Sequence, residues 1–321
     1  MPYAESQREQ CEASMQPLAD VREAVVLAVI LLAGRSPGHC QFAVNSDLVV
    51  LHATVVDRQG RRVSGLQRGD FRVEEDGEPQ QIALFTSEDI PIAAGLLVDN
   101  STSMATKKEA VIAGALAFAR ASNPQDQVFV ILFSDKVSMG LPPATPFTSS
   151  IPQLEEALTR IAPSGKTALY DAIGAGLEYL KRGDRDKKVL IIISDGGDNV
   201  SRRNLTQTVL AAEQSDTIIY TIGVFDDLDH DRNPKVLERL AVQTGGSPYL
   251  PRTTNDVTGI CQRIAKDIRS QYTLGYVPTN QSEDGTYRRI HVTASTPNRG
   301  KLFVRTRIGY VAPLSPKRQQ P

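Results

Sequence analysis

Tryptophan is absent from this chain of 321 residues, and cysteine, histidine and methionine number only three, four and four. The cysteines, Cys11, Cys40 and Cys261, lie far apart and form no CxxC pair, which argues against a zinc knuckle or a dithiol redox motif. No two of His39, His52, His230 and His291 have the spacing of metal ligands, and no serine sits in a GxSxG turn. These absences weaken most routes to an ordinary hydrolase. Charge of one sign is missing too: 36 Lys and Arg face 37 Asp and Glu, a formal net charge of -1. That balance gives no electrostatic case for nucleic acid or for an anionic membrane surface. The apolar content of 40% and charged content of 23% are those of an ordinary globular protein.

Long hydrophobic runs are also scarce. Ala24 to Gly34 is an unbroken apolar stretch, too short to span a bilayer and in the range of a signal-peptide core. Ser36 and Gly38 supply small residues for cleavage, and Met15 is an alternative start. The preceding segment fits a signal poorly, because Glu5, Glu9, Glu12, Asp20 and Glu23 outweigh its bases. Residues 1–44 are therefore read as signal-like, implying an exported protein that is periplasmic, extracellular or membrane-associated. The competing reading is a buried or disordered segment of a cytoplasmic protein. Membrane attachment is left open.

What is present is a change of rhythm along the chain. From 45 to 88, short β-patterned runs around Leu48–Val55, Phe71–Glu75 and Gln81–Phe85 are separated by turn clusters at Asp57–Gly60 and Asp76–Pro79. From 89 to 270, apolar runs alternate with helical spacing. Ile92–Val98, Gln127–Phe133, Val189–Ile193 and Thr217–Val224 read as buried strands. Helices are expected over about Lys107–Ala121, 151–161, 169–180, Val236–Gln243 and 257–268. Such repeated β-α units predict a doubly wound, mostly parallel α/β sheet of the Rossmann-like kind. From 271 to 312 the β pattern returns, with long strands expected at Tyr287–Ala294 and Lys301–Val311. Neither β segment has enough strands to stand alone, so the two are expected to pair as one small sandwich-like domain flanking the α/β insert. The alternative is two separate β units. Residues 313–321 read as a disordered tail.

The chemistry concentrates after the buried strands. Asp99, Ser101 and Ser103 follow the first, Thr167 opens a helix, and Asp195 follows Val189–Ile193. In a doubly wound sheet, ligands bind outside the carboxyl ends of the strands, so these residues share one edge. Two carboxylates with three hydroxyls form an all-oxygen set suited to Mg²⁺, with Mn²⁺ or Ca²⁺ as alternatives. Neutral hydroxyls leave the ion's charge partly uncompensated, so it can still attract an outside carboxylate. The competing reading is that the Asp and Ser residues only cap turns and a helix.

DxSxS, a distant Thr and a distant Asp, in this order on this framework, resemble the metal-ion-dependent adhesion site (MIDAS) of the von Willebrand factor A (vWA) family, over roughly Ile90 to Ser270. The segments GDFRVEEDGEPQQI, SQYTLGY and RIGYVAP extend the likeness to a bacterial subgroup of VWFA-related proteins, often exported. The resemblance implies that Ser101 and Ser103 ligate the metal directly, Thr167 does so in the ligand-engaged state, and Asp99 and Asp195 act mainly through water. Lys166 departs from the small residue common there, and its ammonium could weaken metal affinity or hold an acidic ligand. The implied function is a non-enzymatic module that grips an Asp or Glu of a protein partner through the metal. Rival readings are a metal-assisted hydrolase and a metal-independent scaffold.

Further residues are candidates for partner contact. Asp198 follows Asp195, and Asp226, Asp227 and Asp229 form an acidic run after a strand, where a solvated loop is the plainer reading. Gly165-Lys166-Thr167 looks like the end of a phosphate-binding loop but lacks the required glycine five positions earlier, where Arg160 stands, so no nucleotide is expected. Arg68-Gly69-Asp70 is read as a chance tripeptide. Cys261 is read as a small core residue of the last helix.

Overall fold

Apolar strands buried on both faces need helices on both faces, and the computed structural model, which describes residues 48–226, 231–297 and 299–314, has this arrangement. The readings made for the N-terminal segment, for the tail from Ser315 and for Asp227 and Asp229 lie outside these residues. Strands β1 (Val49–Val56), β2 (Phe71–Glu75), β3 (Glu78–Gln80) and β4 (Ile82–Thr86) come first. The α/β part follows: β5 (Ile92–Asp99), α1 (Lys108–Ala121), β6 (Gln127–Phe133), β7 (Val137–Met139), α2 (Ile151–Thr159), α3 (Leu169–Leu180), β8 (Lys187–Ser194), α4 (Leu205–Gln214), β9 (Thr217–Gly223), α5 (Pro234–Gln243), β10 (Pro248–Tyr249) and α6 (Val257–Arg269). The chain ends with β11 (Tyr272–Tyr276), β12 (Tyr287–Ala294), β13 (Phe303–Arg305) and β14 (Gly309–Val311).

The central sheet has the order β10-β9-β8-β5-β6-β7. All neighbours are parallel except β7, which turns back against β6. Every residue of β5 is buried. Gly95 lies at its middle because no side chain fits there: a Cβ would stand 2.4 Å from the Phe129 ring and 2.6 Å from Leu190. Gly114 does the same for the pairing of α1 with α6, where a Cβ would meet Val257 at 2.7 Å and the Cys261 sulfur at 3.1 Å. Cys261 is fully buried, and burial pushes its thiol up to about 12, so it is an inert packing residue here. Two helix starts are chemically marked. Asn204 and Gln207 form a capping box on α4, and Asn233 caps α5 ahead of Pro234.

The remaining strands form two four-stranded sheets, β13-β1-β11-β4 and β14-β12-β2-β3. β1 lies between β11 and β13, and β2 pairs with β12, so strands from both ends of the chain interleave. Their shared core holds Leu51, Ala53, Val55, Phe71, Tyr272, Leu274, Ile290 and Val292. The Tyr272 ring lies 5.1 Å from Phe71, and its buried hydroxyl donates to the Val63 carbonyl and accepts from the Leu66 N–H.

Two strand boundaries differ from the sequence expectation. The turn after β2 is only Asp76-Gly77, both at positive φ, and Glu78 already pairs with Glu75. A two-residue Asp-Gly hairpin matches strand twist, so no longer turn is needed. The long strand expected over Lys301–Val311 is two short ones, because the chain leaves β1 after Arg305 and crosses to pair with β12 from Gly309. Periodicity alone cannot reveal a change of sheet within a continuous β pattern.

The α/β part is tied to the sandwich at the end of α6. Asp267 is paired with Arg62 at 3.2 Å and Arg305 at 3.7 Å, and accepts the Tyr249 hydroxyl at 2.9 Å. Nearby, Lys187 at the start of β8 is buried, and its ammonium donates to the Ile268 carbonyl. Burial pulls Lys187 down to about 7 from 10.5, against the opposing pull of Asp89 and Asp126. The unfolded chain therefore binds this proton more tightly than the folded one. The group costs stability fully below about pH 7, and that cost disappears as pH rises to the unfolded value. Urea unfolding across this window is expected to show stability rising with pH, and Lys187→Met is expected to flatten that slope. An unchanged slope would assign the dependence elsewhere.

Candidate functional site

Parallel pairing of β5 with β8 sets Val98 opposite Ile193, so the next residues, Asp99 and Ser194, emerge side by side at the carboxyl edge. Ser194 donates its hydroxyl to Asp99 Oδ2 at 2.7 Å and accepts the Gly196 N–H at 3.0 Å. The other Asp99 oxygen accepts the Ser101 N–H at 3.0 Å. The Ser101 and Ser103 hydroxyls are 3.1 Å apart, and Ser103 donates to Asp195 Oδ2 at 2.8 Å. Asp195 Oδ1 accepts the Gly197 N–H. Asp99, Ser101, Ser103 and Asp195 are thus joined by one run of hydrogen bonds.

Thr167 is held beside them by its loop. The Gly165 carbonyl accepts both the N–H and the hydroxyl of Thr102, each at 3.1 Å. On the other side, the Thr167 N–H donates to Asn199 Oδ1 at 2.9 Å, and the Asn199 N–H returns to the Thr167 carbonyl at 3.0 Å. The three loops therefore brace one another. Two glycines allow it: Gly165 at φ +77, where a Cβ would stand 2.0 Å from the Asp135 carboxylate, and Gly196 at φ +81, 2.5 Å from the Asn233 carbonyl.

Asp99, Ser101, Thr167 and Asp195 are all buried, while Ser103 is half-buried. Burial raises the Asp99 carboxyl to about 6; hydrogen bonds from Ser101 and Ser194 oppose the rise and the Asp195 charge adds to it. Two carboxylates and three hydroxyls in this setting are all hard oxygen donors, and the donor set fits a hard divalent cation. Among the described residues no group of three or more His, Cys, Asp or Glu is arranged to hold a metal, so any cation here relies on hydroxyls.

Lys166 lies exposed on the rim, its N–H donating to Asp135 at 3.0 Å. Asp198 is half-buried. Its Oδ1 accepts the Ser201 hydroxyl at 2.6 Å and the Tyr170 N–H at 3.3 Å, which ties it to the start of α3. Asp226 follows β9 at the same edge, since β9 runs parallel beside β8.

Sequence reasoning overlooked Ser194, Asn100 and Asp135. Asn100 donates its amide to the carbonyls of Ile161 and Ala162, and Asp135 anchors the Gly165 turn through the Lys166 N–H. A polar residue closing an otherwise apolar strand was the available signal for Ser194. Asp135 had none, because its partner lies thirty-one residues on. Ser194→Ala leaves an Asp99 oxygen and the Gly196 N–H without their partner. It is expected to lower unfolding free energy by about 1–3 kcal/mol in urea titration. A loss within experimental error would mean that the edge does not depend on this hydroxyl.

Residues 95–197 match the family model described as von Willebrand factor type A domain. A solved structure of von Willebrand factor type A from Catenulispora acidiphila is similar at 14% identity, covering 76% of this chain and 74% of that one, with a TM-score of 0.51. The vWF domain of the type V pili tip protein Mfa5 from Porphyromonas gingivalis is similar at 12% identity over 56% of this chain and 95% of that one, TM-score 0.48. Proximal thread matrix protein 1 from the mussel byssus, described with a zinc-occupied MIDAS motif, is similar at 15% identity over 60% of this chain and 49% of that one, TM-score 0.48. No curated protein matches the sequence. Residues 95–197 thus match the von Willebrand factor type A domain, and the fold is the one shared with the Catenulispora acidiphila structure.

Proposed function

We propose that the chain is a divalent-metal-dependent protein-binding module and not an enzyme. The observation that carries this reading is the hydrogen-bonded run of Asp99, Ser101, Ser103 and Asp195, an all-oxygen donor set at a sheet edge braced on three sides. Together with Thr167, these residues would hold Mg²⁺, with Mn²⁺ or Ca²⁺ as substitutes. When bound, the cation supplies a positive centre able to accept a carboxylate oxygen from outside. The protein's own part is positional. Ser194 and the Ser101 N–H orient Asp99, Gly197 orients Asp195, and the Gly165 and Asn199 contacts keep Thr167 in reach.

The partner in this proposal is a protein presenting Asp or Glu. Lys166 at the rim would assist such a carboxylate, Asp198 would contact the partner, and Asp226, Asp227 and Asp229 would hold a second cation or steer basic groups of the partner. Among the described residues both histidines, His52 and His291, belong to the sandwich strands β1 and β12. His52 is held neutral by burial, which lowers it to about 3. Neither is placed to serve as a general base at the cation site. Export is part of the proposal and rests on the apolar run of residues 24–34; among the described residues no helix is long and apolar enough to cross a membrane.

Calorimetry and melting with Mg²⁺, Mn²⁺ and Ca²⁺ test this reading. A cation at about a hundred times its Kd is expected to raise stability by about 2.7 kcal/mol in the parent protein. The response is expected to vanish in Asp99→Ala/Ser101→Ala. Equal stabilisation of parent and variant would remove the assigned ligands. No response from either, together with chelator-insensitive capture of a carboxylate-bearing partner, would favour the metal-independent scaffold.

A further inference from the structure

The near-zero net charge of the chain hides a local excess. At one end of the sandwich, the turn after β1 and the segment before β13 enclose an open groove of about 600 Å³. Arg58, Arg61, Arg62, Arg299 and Lys301 line it, with Asp57 as the one acidic residue in the lining. Arg61 pairs with Asp57 at 2.8 Å, and Arg62 with Asp267 at 3.2 Å. Among the described residues, Arg58, Arg299 and Lys301 have no carboxylate partner. Three uncompensated cations thus face one concave surface.

The turn that carries Arg58 is closed by its own hydrogen bonds. Asp57 Oδ1 accepts the N–H groups of Gln59 and Arg61, each at 2.9 Å, and backbone bonds Gly60 to Asp57 and Asp57 to Arg61 close the loop. Gly60, at φ +73, permits the reversal. On the facing wall, Lys301 is placed over the Phe303 ring, 5.2 Å from its centroid. β13, which starts at Phe303 beside the groove, is the outermost strand of its sheet, so its free backbone edge runs on from the groove.

We propose that this groove docks an acidic, extended protein segment. Guanidinium forks suit carboxylates in pairs, and the hydrogen-bonded turn presents Arg58 with a reduced ordering cost. The free edge of β13 offers main-chain hydrogen bonds to an extended segment. The volume is in the range of pockets that enclose a small ligand or a few side chains. A concave groove between two loops receives a narrow chain more readily than a flat membrane, and its few charges make too short a track for a nucleic-acid backbone. The groove lies at the end of α6, where Arg62 also donates to Ser270, whereas Asp99 and Asp195 lie at the carboxyl ends of β5 and β8. The length of β8 separates the two ends by roughly 20–25 Å. The groove is therefore independent of the cation site.

The test uses the full chain and a fluorescein-labelled oligoglutamate peptide, read by anisotropy with and without chelator. Binding that survives chelator, weakens with salt and falls about tenfold in Arg58→Gln/Arg299→Gln/Lys301→Gln is expected, three surface charges together being worth about that factor. The matched variant Arg120→Gln/Arg160→Gln/Lys181→Gln, which removes three exposed cations elsewhere, is expected to bind like the parent. Melting curves check that both variants fold. Absence of binding, or equal losses in the two variants, would overturn the proposal. Tighter binding of phosphatidylserine vesicles or of a single-stranded oligonucleotide than of the peptide would overturn the assigned occupant.

Discussion

The parallel pairing of β5 with β8 is the constraint on which the rest of the molecule depends. Both strands are apolar and buried almost from end to end, so their register is strongly determined by the helices that cover them. That register sets Asp99 beside Ser194 and brings Asp195 within reach of Ser103. A carboxylate at the end of a buried strand must find hydrogen-bond donors, and here hydroxyls and backbone N–H groups supply them. Hydroxyls satisfy the carboxylates without neutralising them, which leaves the edge negative and oxygen-rich.

The same strands tie the site to the opposite end of the molecule. Lys187 opens β8 and donates to the last turn of α6, where Asp267 gathers Arg62, Arg305 and Tyr249. Buried charges in such a junction cost desolvation and are tolerated when each finds partners. The junction holds the α/β layer against a sandwich whose two sheets draw strands from both ends of the chain. An oxygen-rich edge and a basic groove therefore belong to one framework, at opposite ends of its central strand. The net charge of -1 is the sum of these unlike surfaces and describes neither.

Much of this was legible in the residues. Runs such as Val189–Ile193 are apolar at every position, as a strand covered on both faces requires, so most of the alternation of strands and helices could be read, although α4 was not among the expected helices. The residues Asp99, Ser101, Ser103, Thr167 and Asp195 were visible because each stands where a strand ends or a helix begins. Less legible were β7 and β10, which are too short to show a period, and the break between β13 and β14. Ser194 showed only as a polar residue closing an apolar strand, and Asp135 could not be singled out as a support, because its partner is distant in sequence.

By itself, then, the sequence determined the class of fold and the chemical kind of the candidate site, because burial on two faces and hard oxygen donors are properties of residues taken in order. Tertiary structure alone decided which hydroxyl meets which carboxylate, where the chain changes sheets, and that Arg58, Arg299 and Lys301 face one groove. These outcomes depend on strand register and on contacts between segments more than two hundred residues apart. No local pattern encodes them, since the free energy that selects them is shared among many packed neighbours.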